Sequence, residues 1–221
     1  MSAMALMAIN ANAEKVKFEI SGVVADSIKE VVVIVNNDKN SSQKVPVANG
    51  RFNAVGEAEK NDLLNVGHEI NRGFNSLVAI NDGQPIKMNF VENTVSGSSE
   101  NSALGNQIKA NAADEGRMAV LIKEYRELSK QNTAEADARI KEIMAEANAI
   151  EEKNMKASIE YIKAHKGDVT PVAFIQNVMY ELSYNELAEI INPDVAYFNH
   201  PMVVKAKRLM DGLKKRMPGA M

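Results

Sequence analysis

The chain has 221 residues, of which 45% are apolar, and a formal net charge of −3 at pH 7. This length is enough for one domain of ordinary size, or for a small domain with a helical extension. Since acidic and basic residues nearly balance, a nucleic-acid-binding surface, which normally carries a basic excess, is not expected. The chain has no cysteine, which excludes disulfides, thiolate nucleophiles, zinc–thiolate sites and iron–sulfur clusters.

The first 13 residues have the pattern of a signal-peptide remnant. A short apolar run, residues 3–9, is followed by Ala11-Asn12-Ala13, and Ala-x-Ala is typical of a signal-peptidase site. No Lys or Arg precedes the run, so we expect the natural start to lie upstream of Met1. The pattern predicts export to the cell envelope or periplasm. The alternative is an N-terminal tail in which Ala-x-Ala occurs by chance.

Residues 14–97 predict an antiparallel β domain. Apolar and charged residues alternate over residues 16–20, which is the period of a half-buried strand, and residues 31–35 form a β-branched run. Short strands at this spacing favour a sandwich or a half-barrel. The segment 57–74 is left open, because its apolar residues favour a strand and its two glycines favour a loop.

Two turn signals predict β-hairpins in this part of the chain. Asn49-Gly50 and Asn81-Asp82-Gly83 each separate two apolar, strand-like segments. Asn-Gly is favoured there because both central residues of a type I′ turn need a positive φ. Pro46 cannot donate a hydrogen bond to a neighbouring strand, so its strand is predicted at the edge of a sheet.

A helical region is predicted over residues 98–217. Ser98 or Ser99 is expected to cap a first helix, which Gly105 and Gly116 weaken by about 1 kcal/mol each relative to alanine. Whether residues 98–130 form one helix or two therefore stays open. The apolar residues that share one side of this helix are Leu104, Ile108, Met118, Ile122 and Tyr125.

The strongest helical pattern starts with Asn132 as the cap and Glu135 three residues later, and Gly167 is expected to follow its last turn. Unbroken, this helix is about 50 Å long and pairs with the preceding one in a long helical hairpin. Three acidic residues stand four positions before a basic partner, a favourable order: Glu135 before Arg139, Asp137 before Lys141, and Glu152 before Lys156.

Three shorter helices are predicted to close the chain. They start with Thr170-Pro171, with the capping box Ser183-x-x-Glu186 and with Asn199-His200-Pro201. The last one is basic, as a membrane-surface helix would be, but its apolar side favours a helix docked on a core. The predicted fold class is therefore α+β, with an antiparallel β-sandwich or half-barrel followed by a helical region that contains a long helical hairpin.

No catalytic, cofactor-binding or metal-binding residue is predicted. His68, His165 and His200 lack the spacing of metal ligands, and His165 is expected to complement a helix dipole. The chain lacks Gly-x-Ser-x-Gly and the phosphate-binding glycine motifs. Gly97-Ser98-Ser99 has the composition of an anion site at a helix N-terminus, although a simple cap is the favoured interpretation.

Two stretches of the sequence resemble a known family. Residues 81–90, Asn-Asp-Gly-Gln-Pro-Ile-Lys-Met-Asn-Phe, followed by Val95-Ser96-Gly97-Ser98-Ser99-Glu100-Asn101, resemble a β-rich domain of unknown function. That domain precedes thioredoxin-like domains in envelope proteins of Bacteroides-type bacteria. Residues 199–219, from Asn-His-Pro-Met to Arg-Met-Pro-Gly, are similar to the helix that joins the two domains. The resemblance covers essentially all of residues 14–221.

In that family the Pro-Gly precedes a thioredoxin-like fold with Cys-x-x-Cys. The resemblance therefore implies that this chain is not an enzyme by itself but the non-catalytic N-terminal module of an envelope thiol-disulfide oxidoreductase. Such a module would position the redox domain or bind client proteins, and it would need no cofactor. We expect residues 218–221 to be a truncated boundary to that domain, unless the chain is a natural stand-alone relative. The alternative hypothesis is a stand-alone envelope binding protein that dimerises through its helical hairpin.

Overall fold

The computed structural model describes residues 14–70 and 73–216. Within them, the first part of the chain forms eight strands in two four-stranded sheets. The strands are β1 (Lys15–Val23), β2 (Glu30–Val35), β3 (Gln43–Pro46), β4 (Arg51–Glu59), β5 (Leu63–Ile70), β6 (Gly73–Ile80), β7 (Ile86–Asn89) and β8 (Thr94–Ser96). The first sheet has the order β4-β1-β7-β8, and the second has the order β3-β2-β5-β6.

The two sheets enclose an apolar core, as the sandwich prediction requires. Phe18 and Ile20 of β1 are buried in it, together with Val33 of β2 and Ile86 of β7. All strand pairs are antiparallel except β1 with β7, which is parallel. The strand that contains Pro46 lies at the edge of its sheet, which confirms that prediction.

The two predicted hairpins are wrong as pairs of strands, although a single antiparallel bridge between Ala48 and Arg51 closes the first turn. Asn49 and Gly50 have positive φ values of 51° and 69°, as a type I′ turn requires. However, β3 before this turn pairs with β2, whereas β4 after it pairs with β1 in the other sheet. The segment around Gly83 likewise leads from β6 in one sheet to β7 in the other. Each turn therefore carries the chain between sheets.

The segment 57–74, which the sequence left open, includes the end of β4, the whole of β5 and the first residues of β6. β5 pairs with β6 from Leu63 opposite Ile80 onward. Gly67 lies inside β5, where a Cβ atom would overlap the ring of Phe74 from the neighbouring strand. The same arrangement occurs between β1 and β4, where Phe18 covers Gly56 and Phe52 covers Gly22. Glycine in these strands thus makes room for an aromatic ring.

Five α-helices follow the strands within the described residues. They are α1 (Ser99–Leu128), α2 (Ala134–Ala164), α3 (Val172–Val178), α4 (Tyr184–Ile190) and α5 (Val204–Lys214). Residues 99–128 form one helix without a break at Gly116, which answers the question that the sequence left open. The predicted helical hairpin is confirmed, because α1 and α2 run antiparallel and are joined by residues 129–133.

The helix caps agree only in part with the predictions. Ser98 caps α1, and Ser183 with Glu186 forms the predicted capping box of α4. Thr133, not Asn132, caps α2, since its hydroxyl accepts a hydrogen bond from the Ala136 N–H. The side chain of Thr170 does not cap α3 but bonds to Asp168.

The end of α2 also differs from the prediction. Gly167 is not among the glycines with positive φ, and α2 ends at Ala164 with His165 as its C-cap, one residue earlier than Gly167 in the position after the cap would require. His200 does open the last helical segment as predicted, by capping a 3-10 turn, Pro201–Val203, that leads directly into α5.

A second apolar core lies among the helices. It joins the base of the hairpin, including Leu104 and Ile162, to α3, α4 and α5. Leu63 and Ile80 of the second sheet belong to this core, so the strands and helices share buried surface. The predicted signal-peptide remnant, residues 1–13, and the predicted boundary, residues 218–221, lie outside the described residues. Among the helices within the described ranges, none is both long and apolar enough to cross a membrane.

The two glycines of α1 have different surroundings. A Cβ atom at Gly105 would overlap the backbone carbonyl oxygen of Val95 in β8, whereas a Cβ atom at Gly116 meets nothing within 4 Å. The sequence indicated that both glycines weaken the helix. The structure shows that Gly105 allows α1 to lie close against the sheet.

We expect the two Gly→Ala substitutions to have opposite effects on the free energy of unfolding. Gly116→Ala should stabilise the protein by about 0.5–1 kcal/mol, because alanine restricts the unfolded chain and favours the helix. Gly105→Ala should destabilise it by about 1–3 kcal/mol, since α1 must move away from β8. Urea titration of both variants, followed by circular dichroism, measures the two changes. Equal effects of the two substitutions would contradict this account of Gly105.

Candidate functional site

A buried amide joins the start of the helical hairpin to the second sheet. Asn101, in the first turn of α1, is completely buried. Its Oδ1 accepts a hydrogen bond from the Ile80 N–H at 2.8 Å, and its Nδ2 donates one to the Ile80 carbonyl oxygen at 2.9 Å. Because β6 is the edge strand of its sheet, these two backbone groups have no neighbouring strand. The amide of Asn101 thus takes the place of a further strand and fixes the start of α1.

A second contact ties the helices to the strands near the opposite end of the chain. His200 is buried, and its Nε2 lies 3.0 Å from the carbonyl oxygen of Asn61, in the turn between β4 and β5. Its Nδ1 lies 3.1 Å from the N–H of Met202. The ring must therefore donate from Nε2 and accept at Nδ1, which is the neutral form. The same histidine caps the turn before α5 and holds it to the β-sandwich.

Beyond this junction, one side of the hairpin is cross-linked by ion pairs. Arg117 pairs with Glu146, Arg139 pairs with Glu124 and Glu142, and Lys153 pairs with Asp114. The Arg117 and Arg139 guanidinium groups hold the pKa of Glu146 and Glu124 below the ordinary value. Within the described residues none of the three predicted i,i+4 pairs forms, since Arg139 reaches across to α1 instead.

The outer half of the hairpin carries an exposed groove that we call the apolar strip. It has a volume of about 230 Å³. Leu121 and Ile143 are buried at its bottom, whereas Ile122, Tyr125 and Met144 remain 45%, 42% and 54% exposed. The strip consists of Met118, Leu121, Ile122, Tyr125, Ile143, Met144 and Ala147. Large apolar side chains that stay exposed side by side are typical of a surface that meets another molecule.

The inner half of the hairpin forms a cavity of about 620 Å³ with α3, which we call the acidic cleft. Its apolar residues are Ile108, Met155, Phe174 and Val178. Its carboxylates are Glu115, Glu151, Glu152 and Glu181, and its amides are Asn111, Asn148, Asn154 and Asn177. Of the residues that the structure describes, no Lys or Arg lines this cavity. We call the apolar strip and the acidic cleft together the hairpin face.

The four carboxylates of the acidic cleft have no ion-pair partner in the described part of the chain. None of them takes part in an ion pair within residues 14–70 and 73–216. The nearby cations Arg117 and Lys153 are paired with Glu146 and Asp114. Partial burial in the cleft raises the pKa of Glu115 above its ordinary value, because the charged form loses hydration there. The cleft is therefore a site of negative charge over an apolar surface.

The other polar groups that the sequence singled out have structural roles. His68 is buried in β5 against the ring of Phe90. His165 stacks on Tyr161 and lies 2.8 Å from a carboxylate oxygen of Asp168, in the turn after α2. Ser98 caps α1, as the favoured interpretation of Gly97-Ser98-Ser99 predicts. Among the described residues, no group of three His, Asp or Glu side chains is placed to hold a metal ion.

Comparisons with protein-family models, with curated proteins and with solved structures find no match to this chain. The sequence placed Met118, Ile122 and Tyr125 on one side of α1. It did not show that this part of the hairpin extends beyond the core, or that α3 closes a cleft beside it.

The buried His200 makes stability depend on pH. Burial lowers its pKa below the ordinary value of 6.5, so below pH 6.5 the unfolded chain takes up a proton that the folded chain resists. The free energy of unfolding should therefore fall as the pH is lowered from about 7.5 to about 5.5. Protonation would also place a hydrogen on Nδ1, which could then no longer accept the hydrogen bond from the N–H of Met202.

His200→Asn keeps a cap acceptor at this position but does not titrate. At about pH 7.5 the variant should be about 1 kcal/mol less stable than the parent, through the missing bond to Asn61. This difference should shrink at about pH 5.5, because the stability of the variant falls less as the pH is lowered. Urea titrations of both proteins at each pH provide the comparison. An identical pH dependence in the variant would show that another group is responsible.

Proposed function

We propose that this chain is a non-catalytic interaction module that binds another polypeptide on its hairpin face. The observation that carries the proposal is the apolar strip, because Ile122, Tyr125 and Met144 stay in contact with water although their neighbours are buried. Covering such side chains gains about 25 cal/mol for each Å² of apolar surface removed from water. No other part of the chain that the structure describes covers these side chains, so a partner is the natural use of this gain.

The rest of the hairpin supports this role. The ion pairs of Arg117, Arg139 and Lys153 lie between the two helices, and they hold the helices together while one face remains open. A surface that is already ordered loses less conformational entropy on binding. The half-buried Met118 and the exposed Met144 are flexible and polarisable, which suits a surface that fits around a partner.

The setting that we propose is the one implied by the family resemblance. There the chain is the N-terminal module of an envelope thiol-disulfide oxidoreductase, and the redox cysteines belong to a thioredoxin-like domain. The hairpin face would then position that domain or hold a client protein for it. A second candidate is a homodimer, in which two apolar strips cover each other around a two-fold axis and form a four-helix bundle.

Site-specific photo-cross-linking in the native host tests the proposal. A photoreactive amino acid is placed at Ile122, at Met144 or at Glu127, which is exposed about 140° around α1 from Ile122. Positions 122 and 144 should give a covalent adduct with a distinct partner, and position 127 should not. Mass spectrometry of the adduct identifies a thioredoxin-like domain, a client protein or a second copy of the chain.

Two outcomes would contradict the proposal. One is the absence of an adduct at positions 122 and 144 in cells where the protein is abundant and folded. The other is an identical set of adducts at all three positions, which would indicate random contacts. An adduct between two copies would select the homodimer among the candidates for this surface.

A further inference from the structure

The apolar strip and the acidic cleft form one continuous surface. On α1, the residues Ile108, Asn111, Glu115, Met118, Ile122 and Tyr125 follow one another at intervals of three and four, so they share one side of the helix. On α2, Met144 and Ala147 of the strip lead directly into Asn148 and Glu151 of the cleft. Along α1 this surface extends for about 25 Å, at 1.5 Å for each residue.

We propose that the partner of the hairpin face is a cationic amphipathic helix of about 17 residues. One half of it would carry apolar side chains for the strip, and the other half would carry Lys or Arg for the cleft. This inference rests on the proposed function, and it adds the chemistry of the partner. A groove between two antiparallel helices is a known type of site for an amphipathic helix, whose side chains pack between those of the groove.

Charge decides which partner fits the inner half. Glu115, Glu151, Glu152 and Glu181 face the cleft without an ion pair in the described part of the chain. An acidic partner would meet only like charges there. A Lys or Arg side chain would instead bring a cation within reach of several carboxylates at once, and the attraction between opposite charges would add to the gain from covering apolar surface.

The shape of the cleft favours a long cationic side chain over a metal ion. Among the described residues, His, Asp and Glu form no group that is close enough to hold a metal. The carboxylates instead share the cavity wall with apolar side chains, which are those of Ile108, Met155, Phe174 and Val178. Lys and Arg match this arrangement, because their aliphatic stems cover apolar surface while the charged end reaches a carboxylate. A cavity of about 620 Å³ has room for such side chains.

The basic helix of this chain does not have the properties of that partner. Lys205, Lys207 and Lys214 make α5 cationic. However, Ala206 of α5 is buried in the helical core, and Leu209, Met210 and Leu213 pack against the same core. The apolar side of α5 is therefore already covered, so a second copy could not offer it to the apolar strip without unfolding.

Fluorescence anisotropy with synthetic peptides and the full chain tests the inference. Each peptide has about 17 residues, with a leucine-rich half and a lysine-rich half, and both orders of the halves are made. Matched peptides carry Glu in place of Lys. At least one lysine peptide should bind about tenfold or more tightly than its glutamate counterpart, and its affinity should fall when salt is raised from about 50 to about 300 mM.

Matched variants locate the interaction. Glu115→Gln combined with Glu181→Gln removes two carboxylates from the cleft and should weaken binding of the lysine peptide about tenfold. Glu127→Gln combined with Glu160→Gln removes the same charge from exposed positions that do not line the cleft, and it should change the affinity less than about twofold.

Three results would overturn the inference. They are equal binding of lysine and glutamate peptides, equal weakening by the two pairs of substitutions, and no binding of either lysine peptide. In the first case, adducts at positions 122 and 144 would still support an interaction module with a partner of different charge. Absence of those adducts would remove the proposed function itself, so the two failures are distinguishable.

Discussion

The arrangement of this protein depends on two hydrogen bonds between the Asn101 side chain and the backbone of Ile80. The N–H and the carbonyl group of Ile80 lie on the open edge of a sheet. Ile80 and Asn101 are both completely buried, so water does not take the place of the amide. Without the amide, the Ile80 N–H would lose its partner at a cost of about 1–3 kcal/mol, whereas the Ile80 carbonyl oxygen would keep its hydrogen bond from the Asp82 N–H. The start of α1 is therefore favoured at this point. Gly105, one turn later, lets the helix lie against β8. The direction of the hairpin follows from these two contacts.

The hairpin suits binding because its base packs into the core of the protein, whereas its outer half stays exposed to solvent. Leu104, Ile162 and the short helices form a core that joins the base to the sandwich. Farther out, ion pairs hold the two helices together, so one face is left to solvent without loss of structure. That face changes from apolar to acidic along its length. It can therefore select a partner by its positive charge as well as by its apolar side chains.

The sequence was sufficient for features that depend on neighbouring residues. The alternation around Phe18, the capping box of Ser183 and the pairing of two long helices were all predicted correctly. Asn49-Gly50 was predicted to close a hairpin but connects two sheets, because a turn motif fixes φ and not the strands that will pair. The role of Gly105 and the acidic cleft depend on β8 and α3, which are brought to α1 only by tertiary packing.

The central claim is that Asn101 holds the hairpin in one orientation on the β-sandwich. Because the chain has no cysteine, Glu57→Cys on β4 and Lys130→Cys at the hairpin tip provide two unique positions for spin labels. Pulsed electron paramagnetic resonance then measures the distance between them. The account predicts one narrow distance distribution, which broadens when Asn101→Ala is added to a chain that is still folded. A broad distribution before that substitution, or a narrow and unchanged one after it, would contradict the claim.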